Sequence, residues 1–259
     1  MGRIHLFEFE DQQWLPRPIR DYMTDFLQFV TNAFGMFNDV SPILREGMEA
    51  GGTNVIIDMA SGGGGAWLSI LPILEKEVPD VQITMTDYFP NLDAFERVSE
   101  KSEGKITYLS ESVDASNTPK TLRGLRTMFL SFHHFRPHQA SQILQNAIDE
   151  RSPIAVFEAQ KRDIAHLIKF SLSPINVLLT TPFIRPFKLG RILFTYLIPI
   201  VPLLVLWDGL VSVLRTYSVD ELHALIHQLE GASSFQWKVE EMKSGPVTIL
   251  YLLGVPDDA

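Results

Sequence analysis

An α/β fold is predicted, with helices on both faces of a seven-stranded, mostly parallel sheet and an antiparallel last strand. Three features of the sequence predict it. From Asn54 to Glu158, short apolar runs alternate with helix-like stretches, the rhythm of parallel strands joined by crossover helices. Four consecutive glycines, Gly62 to Gly65, stand between the first such strand and the first such helix, where a sheet of this kind binds ligands beyond its strand ends. The chain then closes on two apolar runs, 235–242 and 247–253, parted by Lys243-Ser244-Gly245-Pro246, which read as an antiparallel pair joined by a turn.

Taken in order, the elements begin with a helical cap over residues 1–52. Tyr22, Phe26, Phe29, Val30 and Ala33 recur at spacings of three and four, and a second helical run follows Ser41-Pro42 with Leu44 and Met48. Trp14 and Tyr22 are expected to close a binding site from this side. Strands are predicted at 55–58, 82–86, 106–109, 127–130 and 154–158, with helices at 66–77, 92–99, 119–124 and 137–150. Pro72 lies inside the first of these helices and is expected to kink it. The rhythm breaks after Glu158 and resumes at Ser218-Val219-Asp220-Glu221, a capping box that starts a helix through Leu222, Leu225, Ile226 and Leu229. The division is therefore a cap at 1–52, a sheet domain at 53–159 and 216–259, and an apolar helical insertion at 160–215.

Composition narrows the function. The formal net charge is -9, so no global basic field attracts phosphates, and nucleic acid is excluded as a partner. With no cysteine there is neither a disulfide framework nor a thiolate metal site, and no metal-ligand spacing is read elsewhere. Met1 to Pro16 is interrupted by Glu8, Glu10 and Asp11, and no signal peptide is read there. A cytoplasmic protein is expected, membrane-associated only through its insertion.

The stretch Asp58-Met59-Ala60-Ser61-Gly62-Gly63-Gly64-Gly65 lacks side chains where a backbone must turn sharply and press its N–H groups against a ligand. Two cofactors suit it. Ala60-x-Gly62-x-x-Gly65, with Asp87 about twenty residues beyond, loosely fits the dinucleotide fingerprint and a nicotinamide-dependent oxidoreductase. The other is S-adenosyl-L-methionine. Asp58 followed by Gly62-Gly63-Gly64 resembles motif I of the class I methyltransferases, Thr86-Asp87-Tyr88-Phe89-Pro90 resembles their second motif, and Ser112-Val113-Asp114-Ala115 resembles the segment beside the adenine. The terminal antiparallel pair favours this family. The resemblance covers about 54–158 and 218–256 and departs from the pattern at Ala60, where glycine is usual. It implies that the loop (Asp58, Ala60, Gly62, Gly63, Gly64) holds the methionine end, Asp87 with Tyr88 the ribose, and Asp114 with Ala115 the adenine.

The acceptor belongs at the strand ends. Ser131-Phe132-His133-His134-Phe135 follows the fourth strand, and either imidazole could serve as general base, with His134 preferred because family members carry a histidine at a similar place. Glu158 ends the fifth strand, either contacting substrate or bonding within the fold. In the insertion there is no charge between Phe170 and Ile184, and only Asp208 between Ile192 and Leu214. Four readings are open: a membrane span, a lid whose Phe183, Phe187, Phe194, Tyr196 and Trp207 line a pocket, a peripheral membrane contact, and a homodimer interface or extra core. Asp208, an acid in an apolar run, calls for a partner such as Arg215 or a catalytic use. The expected activity is methyl transfer to a small or medium-sized hydrophobic acceptor. A non-catalytic binding protein that docks a partner or membrane through the insertion is the alternative from another class.

Overall fold

The computed structural model describes residues 1–245 and 247–257; Pro246 of the predicted closing turn lies outside the described residues. Seven strands form one sheet: β1 (Val55–Asp58), β2 (Gln82–Met85), β3 (Ile106–Tyr108), β4 (Leu125–Phe129), β5 (Ile154–Glu158), β6 (Phe235–Ser244) and β7 (Val247–Pro256). Their order is β3-β2-β1-β4-β5-β7-β6. β7 runs antiparallel to both β5 and β6, and the remaining pairs are parallel. The strand order reverses between β1 and β4, which opens a crevice at their carboxyl ends.

Alternation along the central strands divides the core between the two faces of the sheet. Ile56, Phe129 and Phe157 point into one apolar cluster, with Phe37, Leu44, Trp67 and Phe95. Ile57, Met128 and Val156 point into the other, with Ile143, Leu144, Leu222 and Leu225. The helices on these faces are α2 (Ser41–Ala50), α3 (Trp67–Leu74) and α4 (Leu92–Lys101) on the first, and α5 (Pro137–Asp149) and α10 (Val219–His227) on the second. The capping box is present as expected: Glu221 N donates to Ser218 Oγ and Ser218 N to the Glu221 carboxylate.

Two local expectations change. No helix forms over 119–124; a 3-10 turn at Ala115–Asn117 is followed by irregular chain to β4. Thr118 is extended ahead of Pro119, as a residue before proline prefers to be, and Gly124 at φ +150° takes a backbone that a helix does not allow. The first crossover helix stops at Leu74, two residues beyond Pro72, rather than at Glu77.

The insertion consists of α6 (Ile164–Ser171), α7 (Ser173–Thr180), α8 (Leu189–Ile192), a π-helical turn at Leu193–Leu197 and α9 (Ile200–Arg215). It packs on α1 (Arg17–Ala33), forming a third core from Leu15, Ile19, Met23 and Phe26 against Val177, Ile184, Val201 and Val205. Buried Asp25 of α1 fixes the arrangement by taking Arg191 at 2.8 Å, Arg97 at 3.0 Å and Lys188 at 3.0 Å. The predicted cap is thus shared: α2 belongs to the main core, and α1 to the insertion.

Residues 1–16 contain no helix and run as a strap along α9. Ile4 N donates to Leu214 O, Arg215 Nε to Leu6 O and Trp207 Nε1 to Phe7 O. The strap crosses the ends of β4 and β5, where Arg3 donates to the carbonyls of His133 and Phe135.

Candidate cofactor and acceptor site

A cavity of about 500 Å³ opens at the crevice between β1 and β4. The loop after β1 forms its floor. Ser61 Oγ donates to the carbonyl of Asp58, and Thr86 N and Oγ1 reach the same carbonyl, which ties the loop to the end of β2. Gly62 has φ +56°, the left-handed backbone that glycine adopts without strain. Gly63 meets a different limit: a Cβ there would lie 2.6 Å from the carbonyl oxygen of Thr24, so α1 can cross the loop only over a residue without a side chain. Ala60 holds a left-handed φ of +54°, which explains why glycine would suit that position.

Asp87 closes the loop from the end of β2. Its Oδ2 accepts from Gly62 N and its Oδ1 from Phe89 N, both at 2.7 Å. Burial pushes this carboxyl up, and the two backbone N–H groups hold it partly down. Val113 N donates to Asp87 O and Ser112 Oγ to Tyr88 O, which brings the third segment alongside. There Asp114 caps the 3-10 turn by accepting from Ser116 N and Oγ while its side chain stays exposed at the cavity.

Of the sequence-predicted cofactor residues, Ala60, Gly62, Gly63, Asp87, Tyr88, Asp114 and Ala115 line the cavity. Asp58 and Gly64 do not. Asp58 is buried beneath the loop, accepts from Thr127 Oγ1 at 2.8 Å and is raised to about 6 by its burial. Gly64 faces away: a Cβ there would come within 2.8 Å of Val98 Cγ2 on α4, so this glycine serves helix packing. Trp14 and Tyr22 do not line the cavity either; Arg20, Thr24, Leu27, Gln28 and Thr31 of α1 do. Tyr22 instead packs under Gly190 of the insertion, and Trp14 lies on Phe9.

The opposite wall holds His134, Glu10, Asp11 and Arg215. His134 Nδ1 is 2.7 Å from Asp11 Oδ1 and 3.3 Å from Glu8 Oε2. Burial alone would lower this imidazole, but Glu8 and Asp11 outweigh it and raise it to about 10. Its Nδ1 therefore faces Asp11 and Glu8 instead of standing free in the cavity. Asp11 is pushed up by burial, yet His134 and then Arg215 hold it well below the usual carboxylate range.

Asp208 also departs from expectation. It does not line the cavity, and Arg215 is not its partner; its oxygens accept from Phe9 N at 2.7 Å and Glu10 N at 3.1 Å, which anchors the strap to α9. Arg215 pairs instead with Asp11 at 2.8 Å and Glu8 at 3.2 Å. Beneath them His133 Nδ1 lies 3.0 Å from both oxygens of Glu158, which is steadied by Gln160. Sequence reasoning took Glu8, Glu10 and Asp11 only as charges that break a signal sequence. Three acids set among Phe7, Phe9 and Trp14 in a segment without periodicity were the available signal.

The expected lid does not cover this site. Phe183, Phe187, Phe194, Tyr196 and Trp207 are absent from the cavity wall, and all but Phe194 are exposed on the outer face of the insertion. Residues Ile164–Phe183 are long and apolar enough to cross a membrane and are mostly exposed, with Val177 buried against α1.

The fold is that of the class I methyltransferases. Human N-acetylserotonin methyltransferase in complex with SAM matches 91% of this chain at a TM-score of 0.51 and 13% identity, and PigF with SAH matches 94% at 0.52 and 14%. The chain spans 56% and 62% of the lengths of those two proteins. No family model and no curated sequence matches it.

Proposed function

We propose that the protein is an S-adenosylmethionine-dependent methyltransferase for a hydrophobic, lipid-like acceptor. The observation that carries the cofactor is the Gly62–Asp87 contact: it aims a carboxylate into the cavity from beneath a loop whose Gly63 admits no Cβ. The residues fit the cofactor. Asp87 has a free lone pair on each oxygen for a vicinal diol, Asp114 presents an acceptor to an exocyclic amine, and the backbone at 60–63 receives the amino acid end. Bound there, the cofactor would supply an electrophilic methyl group. The chain's own part is to hold an acceptor in line with that methyl and to exclude water, which the strap does by crossing the strand ends above β4 and β5.

A hydrophobic acceptor is supported by the outer face of the insertion. Leu189 is 78% exposed, Leu197 77% and Ile164 72%, and Ile168, Leu179, Phe183, Phe187 and Leu203 are exposed beside them. Among the charged residues from 164 to 207, Lys169 and Arg185 are exposed and both are basic, while Lys188 and Arg191 are taken by Asp25, in a chain whose net charge is -9. An apolar face with only cationic charge fits an anionic bilayer, whereas two copies meeting through it would set like charges together. We assign this face to peripheral membrane contact. Incubation with methyl-labelled S-adenosylmethionine and fractionated lipid and water-soluble extracts tests the reading. Label in a lipid-soluble product is expected. Label only in water-soluble products overturns the acceptor class, and binding without transfer to any fraction supports a non-catalytic cofactor-binding protein.

A further inference from the structure

We infer that Glu8, His133 and His134 form a binding site for a divalent transition-metal ion, at the boundary between the strap and the cavity. One ligand atom from each residue lies within 4.8 Å of the other two. Glu8 Oε2 is 3.3 Å from His134 Nδ1, and Glu8 Oε1 is 3.8 Å from His133 Nε2. A tetrahedral ion with bonds of about 2.0–2.1 Å separates its ligands by about 3.4 Å, so side-chain adjustment must draw in a set that spans up to 4.8 Å, with each Glu8 oxygen already facing one imidazole.

His133 is the second, independent observation. Its side chain is buried, and Nε2 has no hydrogen-bond partner. Nδ1 lies 3.0 Å from both Glu158 oxygens, so the proton on that side is committed to the carboxylate. Nε2 is left facing Glu8 Oε1 across 3.8 Å, too far for a hydrogen bond and near enough for one ion to reach both atoms. Carboxylate, imidazole, then ion is how metal-ligating histidines are oriented, and Gln160 completes the support by donating to Glu158 Oε2 at 2.9 Å.

The surroundings agree in charge. Asp11 and Glu158 flank Glu8 here, with Asp11 Oδ1 at 2.7 Å from His134 Nδ1, and Arg215 is a guanidinium that pairs with Glu8 Oε1 and Asp11 Oδ2. Its contact leaves Glu8 Oε2 directed to His134. Imidazole with carboxylate suits zinc and its neighbours rather than magnesium or calcium. His134 also lines the cavity, so a coordination position not filled by protein would open to that side. The ligands come from residue 8 and residues 133–134, which is why no spacing in the sequence announced them.

The test uses the full chain, stripped with chelator and titrated with Co²⁺ alone. One equivalent bound per chain, with visible d–d absorption of an imidazole-containing site and displacement by Zn²⁺, is expected. Glu8→Gln and His134→Gln should each abolish the bands, and Glu158→Gln should weaken binding roughly 10–100-fold. Circular dichroism shows whether each variant is folded; if Glu8→Gln is not, His134→Gln at the less buried ligand decides. No stoichiometric Co²⁺ in the wild-type chain, or unchanged bands in folded ligand variants, overturns the site. The readout involves no methyl transfer, so it stands or falls apart from the proposed activity.

Discussion

Replacing Asp87 with alanine separates a cofactor ligand from a turn acid. In the structure each carboxylate oxygen already takes one backbone N–H at 2.7 Å, from Gly62 and Phe89, so the group is oriented before any ligand arrives. Two hydroxyl groups would add two bonds to a charged acceptor, each contributing roughly 1.5–3 kcal/mol. The site is only half-buried and water can replace part of the loss, so the lower sum, about 3 kcal/mol, is the better expectation. At 1.4 kcal/mol per decade that is a rise in Kd of about 100-fold. The fold should lose less, about 1–2 kcal/mol, because the two freed N–H groups face a cavity that water can enter. Calorimetric titration with S-adenosylmethionine and urea denaturation measure the two quantities separately. Asp87→Asn, which keeps one carbonyl acceptor, should fall between. A Kd for Asp87→Ala within threefold of wild type, with the fold intact, would refute the assignment of this carboxylate to the ribose.

The other expectations are more local. Gly63→Ala places a Cβ 2.6 Å from Thr24 O and should cost about 1–3 kcal/mol while weakening cofactor binding; an unchanged denaturation midpoint and Kd would show that α1 does not press on the loop as described. Asp58 has a folded pKa of about 6 against an ordinary 3.8, so its contribution is full below about pH 4 and is lost as pH rises through about 6; Asp58→Asn, which keeps the bond from Thr127, should remove a slope of about 3 kcal/mol across that window, and parallel stability curves for the two proteins count against it. Flotation with phosphatidylglycerol vesicles should retain the wild type, while Leu189→Glu with Leu197→Glu loses binding about 100-fold, since each exposed leucine contributes roughly 1.5–3 kcal/mol on full burial; a wild type that stays with the buffer removes the membrane from the proposal.

What could be read from the sequence divides along physical lines. The short apolar runs at 55–58, 127–130 and 154–158 and the Ser218–Glu221 box are local signals, and the elements they predict are present. The glycine loop, Asp87 and Asp114 were legible because short turns bring strand ends together whatever the rest of the chain does. The helix drawn over 119–124 failed because Pro119 constrains Thr118 and Gly124 takes φ +150°, details that an apolar count does not weigh. The strap was illegible for a different reason. It has neither helical nor strand period, and its partners lie about two hundred residues away, as when Phe9 N donates to Asp208. An acid in an apolar helix therefore looked catalytic or salt-bridged, when its task is to hold two backbone N–H groups.

That anchor also shows how the outer face and the cavity are joined. α9 carries Asp208 and Arg215 on its buried side, where they hold the strap and the Glu8–Asp11 wall, and Leu203 and Trp207 on its exposed side. Trp207 itself donates to Phe7 O, so a side chain of the apolar face is bonded to the strap one residue from Glu8. Glu8 is held from α9 through Arg215, and His133 is held from the other side by Glu158. The contacts of the insertion and the polar wall of the cavity are thus two sides of one helix.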